Sequence, residues 1–385
     1  MKSQINKQLK KIESIALHKN EEIEKNYYDK YSYLYDILIE ILKKEDILMY
    51  GGLAINELLP LKDKFYKSYE LPDIDIFTYN AKPLLKRIIK YYKDIYHIEL
   101  VSAKEALHEN TYKIFSQGLQ ILDVTEIPKE DFNKLKKTSI KTKLDIYTVG
   151  IDYLKYTLHL LSSQSYDAHR WTKVYERLIK IYKHYPIKSS SIDWNEFYTS
   201  IPEDLYNRIQ SWIQSENILS FGWDVLEKLL KPPTELTGYP ILYLLYDGDI
   251  FELAKEFKWK NVKITEKYNG DTFVSQYLAL SYDNTRFCYI FSTRSCLSIL
   301  KKNKTTQLTL HSLITMLYTL YLSSGSIDFL PVIEQLSQLC LKYSNSPKKI
   351  AELYSSECYG SQSGIITLRR KHFIKRLENK NIFKK

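Results

Sequence analysis

"MYGGLAINELLP", residues 49–60, carries a short apolar run to two adjacent glycines and passes at once into helical spacing. The chain has 385 residues but only 11 glycines, so a side-by-side pair marks a place where backbone conformation or close approach matters. With Asp46, Ile47 and Leu48 in front of it, the order reads strand, glycine turn, helix. Without β-carbons, the backbone N–H groups at Gly51 and Gly52 can come close to a triphosphate, and a helix N-terminus favours its negative charge.

Beyond Gly52 lies "PDIDIF" (72–77), a strand-like alternation. On a strand, residues i and i+2 face the same side, so Asp73 and Asp75 project together while Ile74 and Ile76 turn toward a core. Two neighbouring carboxylates repel, and a divalent cation between them answers that repulsion. Mg²⁺ takes oxygen ligands, keeps several waters and accepts phosphate oxygens as well. Asp123 ends the apolar run "GLQIL" (118–122) on a further predicted strand. If that strand lies beside the first, three carboxylates converge as two-metal phosphoryl or nucleotidyl transfer requires. Each feature alone is weak, since a Gly-Gly is usually a turn and a lone Asp-x-Asp usually surface alternation. The joint order carries the reading.

Outward from this core, residues 4–45 have helical periodicity without glycine or proline. "AKPLLKRIIKYYKDIY" (81–96) reads as a helix, and "IELVSA", "TYKIFS" and "LQILDVTEI" read as strands. Pro128 and the lysine-rich "KLKKTSIKTK" (134–143) predict a loop, followed by helices from "DYLKYTLHLLSS" to "HRWTKVYERLIKIYKHY". The composition shift at "PIKSSSIDW" (186–194) predicts a domain boundary. Beyond it come a helix, four strand-like runs and a helical block over about 307–343, which repeats the order of the first half. The expected class is α+β: an N-terminal helical region (1–46), a central domain with a mixed sheet (47–190) and a C-terminal domain with a basic tail (191–385). A second Asp-x-Asp, Asp247 and Asp249, has glycine between its carboxylates and reads as an inactive vestige in the second domain.

Net charge is +10, and residues 369–385 contribute +7 of it, with eight Lys/Arg against one Glu. That balance favours a polyanionic partner. If residues 169–178 are helical, Arg170, Lys173 and Arg177 share a face suited to triphosphate or RNA backbone. Lys134, Lys136, Lys137, Lys141 and Lys143 form a second basic group. No stretch approaches the roughly 18 apolar residues needed to span a bilayer, and the charged N-terminus has no signal-peptide core. Cys288, Cys296, Cys340 and Cys358 lack metal spacing and are expected as reduced thiols in a reducing compartment. The eight histidines are scattered and offer no catalyst. Forty-seven lysines against nine arginines, with 34 tyrosines, point to AT-rich coding rather than to function.

"YGGLAIN" (50–56), "DIDIF" (73–77), "ILDVT" (121–125), "HRWTKVYERL" (169–178) and "ECYGSQSGIITLRRKHFIKR" (357–376) together carry a family resemblance. The first three resemble the DNA polymerase β-type nucleotidyltransferase superfamily. The last two are similar to the poly(A) polymerase catalytic subunits of poxviruses and other large cytoplasmic DNA viruses.

The resemblance implies template-independent addition of AMP from ATP to RNA 3′ ends, with Asp73, Asp75 and Asp123 holding Mg²⁺ or Mn²⁺ and acting as catalytic residues. Gly51, Gly52, Asn56, Arg170, Lys173 and Arg177 are the nucleotide-binding candidates, and Lys137, Lys141, Arg369, Arg370 and Arg376 the RNA-binding ones. It also implies a C-terminal domain resembling a degenerate second nucleotidyltransferase fold. The partners expected are RNA, ATP, and either a second copy of the chain or a separate processivity subunit, with no membrane, in a host cytoplasm or virion. Two alternatives stay open: another RNA 3′-tailing activity such as uridylyl transfer, and a non-catalytic RNA-binding subunit that keeps the fold. The second glycine stands where many superfamily members have serine, so that hydroxyl contact is absent.

Overall fold

A long run of helix formers sets the first element. Helix α1 (Lys2–Leu42) extends for 41 residues, and Leu34, Ile37, Leu38, Ile41 and Leu42 recur at helical spacing as its buried stripe. The computed structural model describes residues 2–186, 191–216, 218–233, 235–256, 259–293, 295–302, 305–323 and 329–361, with 370 and 374. The chain divides into two compact units, Met1–Gly150 and Ile151–Lys385. Residues 187–190, inside the stretch read as a domain boundary, lie outside the described residues, as do Arg369, Arg376 and most of the basic tail. Among the described residues, no helix is long and apolar enough to cross a membrane.

In the first unit α1 is followed by β1 (Leu48–Tyr50), α2 (Gly51–Leu58), β2 (Ile74–Thr78), α3 (Ala81–Asp94), β3 (Val101–Glu105), β4 (Thr111–Ser116), β5 (Leu119–Glu126), α4 (Lys129–Lys137), β6 (Ile140–Lys141) and β7 (Tyr147–Thr148). The strands form one mixed sheet in the order β3-β4-β5-β2-β1-β7-β6. β2 runs parallel to β5 and β1 parallel to β7; the other pairs are antiparallel. α3 buries Ala81, Leu84, Leu85, Ile88 and Tyr92, and the Tyr92 hydroxyl donates to the Leu34 carbonyl of α1. Glu126, at the end of β5, accepts from the Ala81 N–H at 2.8 Å and so closes the start of α3.

The lysine-rich stretch after Pro128 begins as a helix, not the expected loop. Glu130 and Asp131 lie in the first turn of α4 and Lys134, Lys136 and Lys137 in the last, which complements the helix dipole. Phe132 and Leu135, three apart, are its buried contacts. The charge density hides these two anchors in the sequence.

The second unit contains α5 (Ile151–Ser163), α6 (Trp171–His184), β8 (Tyr198–Thr199), α7 (Glu203–Ser215), β9 (Leu219–Ser220), α8 (Trp223–Leu230), β10 (Tyr239–Pro240), β11 (Leu242–Tyr246), α9 (Ile250–Leu253), β12 (Val262–Tyr268), β13 (Tyr277–Tyr282), β14 (Thr285–Ser292), β15 (Leu297–Lys302), β16 (Thr305–Leu308), α10 (Leu310–Leu322), α11 (Leu330–Ser344) and β17 (Cys358–Tyr359). Its main sheet has the order β12-β13-β14-β11-β9. Taken in chain order, these five strands lie as 3-4-5-2-1, the arrangement of β1 to β5 in the first unit. The parallel pair also falls at the same place, β11 with β14 matching β2 with β5.

Two expectations about cysteine and histidine are corrected here. Cys296 and Cys358 form a disulfide with Cα atoms 5.3 Å apart, although 62 residues separate them in sequence. The pairing of β15 with β17, which opposes Ser298 to Cys358, makes that contact. Cys288 and Cys340 are free and buried.

The histidines are not all scattered. His159 of α5 and His311 of α10 are hydrogen-bonded through their Nδ1 atoms at 2.9 Å, and His159 Nε2 is hydrogen-bonded to the Tyr182 hydroxyl of α6 at 2.9 Å. Tyr182 donates onward to Ser337 of α11 at 2.8 Å. Burial holds both imidazoles neutral, with His311 down at about 3 and His159 well below its ordinary value.

The unfolded chain takes up protons at these two histidines as pH falls below about 6.5, while the folded chain does not. Stability is therefore present above that pH and is lost as pH falls below it, by about 1.4 kcal/mol per pH unit down to about 3 for His311, with His159 acting in the same direction. Urea midpoints measured from pH 7 down to 5 are expected to fall accordingly; a flat profile would contradict the buried neutral pair.

Candidate active site

Strand register decides which side chains meet. Tyr50 on β1 stands opposite Asp75 on β2, Asp75 opposite Asp123 on β5, and Asp123 opposite Lys113 on β4. Directly opposed residues on neighbouring strands share a face with Cβ atoms about 5 Å apart. One row across four strands thus reads Tyr50, Asp75, Asp123, Lys113. Ile74, Ile76, Leu122 and Val124 fill the intervening positions and are buried. Asp73 directly precedes β2 and is exposed. It lies beside Tyr35 of α1, whose phenol is raised by burial and then by the Asp73 charge.

Gly51 explains the diglycine. Its φ of +74° lies in the left-handed region, and a Cβ built on it would run into Asp75 Oδ2. The bend between β1 and α2 is pressed against the carboxylate row, and glycine alone fits there without strain or collision. Tyr50 closes the row on one side. Its ring stacks on Phe77 with centroids 3.9 Å apart, and its hydroxyl is hydrogen-bonded to Thr125 Oγ1 at 3.0 Å. Burial raises the Tyr50 phenol, and the Asp75 charge raises it further, so it stands as a neutral wall.

Asp123 is 18% exposed and held on both oxygens. Lys113 Nζ donates to Oδ2 at 3.0 Å, and Gln120 Nε2 donates to Oδ1 at 2.8 Å. Neither Lys113 nor Gln120 stands out in the sequence; only the β4–β5 register signals the lysine. In this row Asp75 and Asp123 carry −2 against the +1 of Lys113, a deficit that a divalent cation would fill, while Asp73 stands just before β2 beside Tyr35. The donor set is all carboxylate oxygen, the chemistry of Mg²⁺ and Mn²⁺ rather than of softer metals. These residues fit such ions.

The other candidates lie elsewhere. Asn56 is buried in α2, and its Oδ1 accepts from the backbone N–H groups of Phe65 and Tyr66 at 2.9 and 3.2 Å. It ties down the connection between α2 and β2. Lys137 ends α4, and Lys141 on β6 pairs with Asp145. Arg170, Lys173 and Arg177 belong to the second unit, where Arg170 and Lys173 are exposed but Arg177 is buried with Val174 and Leu178. The single cationic face expected there is split by that burial. Arg370 is exposed.

The second sheet shows what the same frame becomes without carboxylates. Phe221 N–H donates to the Tyr243 carbonyl at 2.8 Å, and Gly222 follows at the start of α8 as Gly51 does at the start of α2. Tyr243 pairs with Tyr289 across β11 and β14, where the first sheet pairs Asp75 with Asp123. Their rings stack at 5.1 Å, 7° from parallel. Asp247 and Asp249, read as the vestige, lie past the end of β11, whereas Asp73 and Asp75 stand at the start of β2. Asp249 instead caps α9, accepting from Phe251 and Glu252 N–H at 2.8 and 3.2 Å.

Mixed sheet, strand–Gly-Gly–helix bend and in-register aspartates form a nucleotidyltransferase-type fold. Residues 36–167 match the family model described as the poly(A) polymerase catalytic subunit. A protein of Acanthamoeba polyphaga mimivirus, named as a candidate poly(A) polymerase catalytic subunit, is 27% identical over 280 residues, 70% of this chain and 45% of its own length. A protein of African swine fever virus (strain Badajoz 1971 Vero-adapted) with the same name is 27% identical over 162 residues, 40% of this chain and 33% of its own. The chain thus spans less than half the length of these relatives. The crystal structure of the Megavirus polyadenylate synthase superposes with a TM-score of 0.77 at 18% identity, covering 98% of this chain and 83% of that one.

Replacing Asn56 by Ala leaves two backbone N–H groups without their acceptor. This is expected to cost about 1–3 kcal/mol, read as a lower urea midpoint for the full chain. A shift within experimental scatter would remove Asn56 from its anchoring role.

Proposed function

We propose that the chain is a template-independent poly(A) polymerase, transferring AMP from ATP to RNA 3′ ends with release of pyrophosphate. The observation that carries this reading is the in-register pair Asp75–Asp123 with Gly51 against it. The family match over 36–167 supports the same activity.

In this reading Asp73, Asp75 and Asp123 hold Mg²⁺ or Mn²⁺. When bound, the ions lower the pKa of the attacking 3′-hydroxyl and neutralise charge on the leaving phosphates. The chain's own part is positioning. Gly51 and Gly52 present the amino end of α2, with its unpaired N–H groups, to the triphosphate. Tyr50 walls the carboxylate row, and Asn56 acts through the 60–66 connection as a positioning residue rather than by touching nucleotide. Lys137, Lys141 and Arg370, with Arg369 and Arg376, are assigned to RNA phosphates, and Arg170 and Lys173 to substrate anions. Functionally we divide the chain into a helical region (1–46), a catalytic region (47–190) and a C-terminal region (191–385). RNA and ATP are the substrates; a second copy of the chain or a separate subunit would supply processivity.

The test is incubation of the full chain with a labelled oligoribonucleotide, each NTP in turn, and Mg²⁺ or Mn²⁺. Extension is expected with ATP, and none with any NTP under either metal would refute the reading. Asp75→Asn and Asp123→Asn are each expected to lower extension by about a thousandfold, or about 4 kcal/mol of barrier, while RNA binding in a gel-shift assay persists. Extension dominated by UTP would redirect the assignment to uridylyl transfer.

A further inference from the structure

The two hydrogen bonds on Asp123 are not equivalent toward a cation. The Gln120 amide is neutral and leaves lone-pair capacity on Oδ1. The Lys113 ammonium, 3.0 Å from Oδ2, bears the same sign as an arriving cation and occupies an oxygen that the cation would use. The Gln120 carbonyl accepts from the same ammonium at 2.9 Å, so three side chains close a ring around the carboxylate. Lys113 sits within β4, opposite Asp123 in register, so the sheet fixes its Cβ and only its flexible stem can move. The side chain is 32% exposed, which gives the ammonium a way out to water. In the matching row of the second sheet, Tyr289 replaces Asp123 and Ala279 stands opposite it, so the lysine position and the carboxylate are absent together.

We propose that Lys113 is an internal counter-cation for Asp123: it holds the carboxylate in the cation-free chain, competes with the divalent ion for it, and thereby sets how tightly that ion binds. This rests on the nucleotidyl-transfer reading, since it is that reading which assigns Asp123 to a metal. Lys113 is a positioning residue here, acting through Asp123. Gln120 keeps the carboxylate oriented while the exchange occurs. Binding of the ion then requires the ammonium to leave Oδ2, and the charge at that oxygen changes from one positive unit to two.

The experiment titrates Mn²⁺ alone into the full-length protein and reads free Mn²⁺ by electron paramagnetic resonance. Lys113→Met keeps the length of the stem and removes the charge; it is expected to bind Mn²⁺ about tenfold more tightly. Lys113→Arg keeps the charge and is expected to match the wild type, and Asp123→Asn to bind more weakly than any of them. Lys113→Gln makes the same comparison if the methionine variant does not fold, as judged by its thermal midpoint. Unchanged or weaker Mn²⁺ binding on removal of the charge overturns the counter-cation role, even where wild-type RNA extension is intact. Tighter binding in a protein that extends RNA with no NTP upholds the role and overturns the enzymatic reading instead.

Discussion

Two carboxylates opposed on adjacent parallel strands are the constraint around which the first unit is built. Asp75 and Asp123 share a face at about the spacing of neighbouring strands. At an effective dielectric of about 20, like charges about 5 Å apart repel by about 3 kcal/mol. The fold must therefore bring compensation to the row. Buried Ile74, Ile76, Leu122 and Val124 keep the strands paired in that register despite the repulsion. Lys113 and Gln120 bind one carboxylate. The Gly51 bend brings backbone against the other. A one-residue slip of β5 against β2 would turn Asp123 into the core and Leu122 out, so core packing and site geometry are enforced by the same register.

The second unit shows that the frame does not require the chemistry. The same five-strand order and the same parallel pair recur there, with Tyr243 stacked on Tyr289 at the paired positions. Stacked aromatic rings stabilise their own juxtaposition, whereas paired carboxylates must be compensated from outside. An arrangement that costs stability in one sheet has a neutral substitute in the other, which sets the first apart as the place where charge is held for a purpose.

Much of this was legible from residue order. The strand–Gly-Gly–helix junction, the alternation of "DIDIF" and the apolar lead into Asp123 have local periodicities that local physics reads directly. The helices over 4–45 and 81–96 are legible for the same reason. What escaped lies in long-range pairing. Lys113 looks like any exposed strand lysine until β4 is set against β5. Cys296 and Cys358 look unrelated until β15 meets β17. His159 and His311, 152 residues apart, become one buried pair only when α5 and α10 pack. Arg177 reads as part of a cationic face but is buried, because the packed face of α6 is wide enough to include it. Asn56 reads in the sequence as a nucleotide-binding candidate, but its side-chain carbonyl accepts from Phe65 and Tyr66 N–H, a partnership that spacing does not reveal.

The sequence by itself determined the strand–turn–helix order around the diglycine, the long helices over 4–45 and 81–96, and which residue types could hold oxygen-seeking cations, because hydrophobic period and side-chain chemistry are local properties. Only the tertiary structure decided which carboxylate faces which, what neutralises it, and why the first glycine must be glycine. Register, left-handed backbone and charge pairing arise between segments distant along the chain, and no short window of sequence contains both partners.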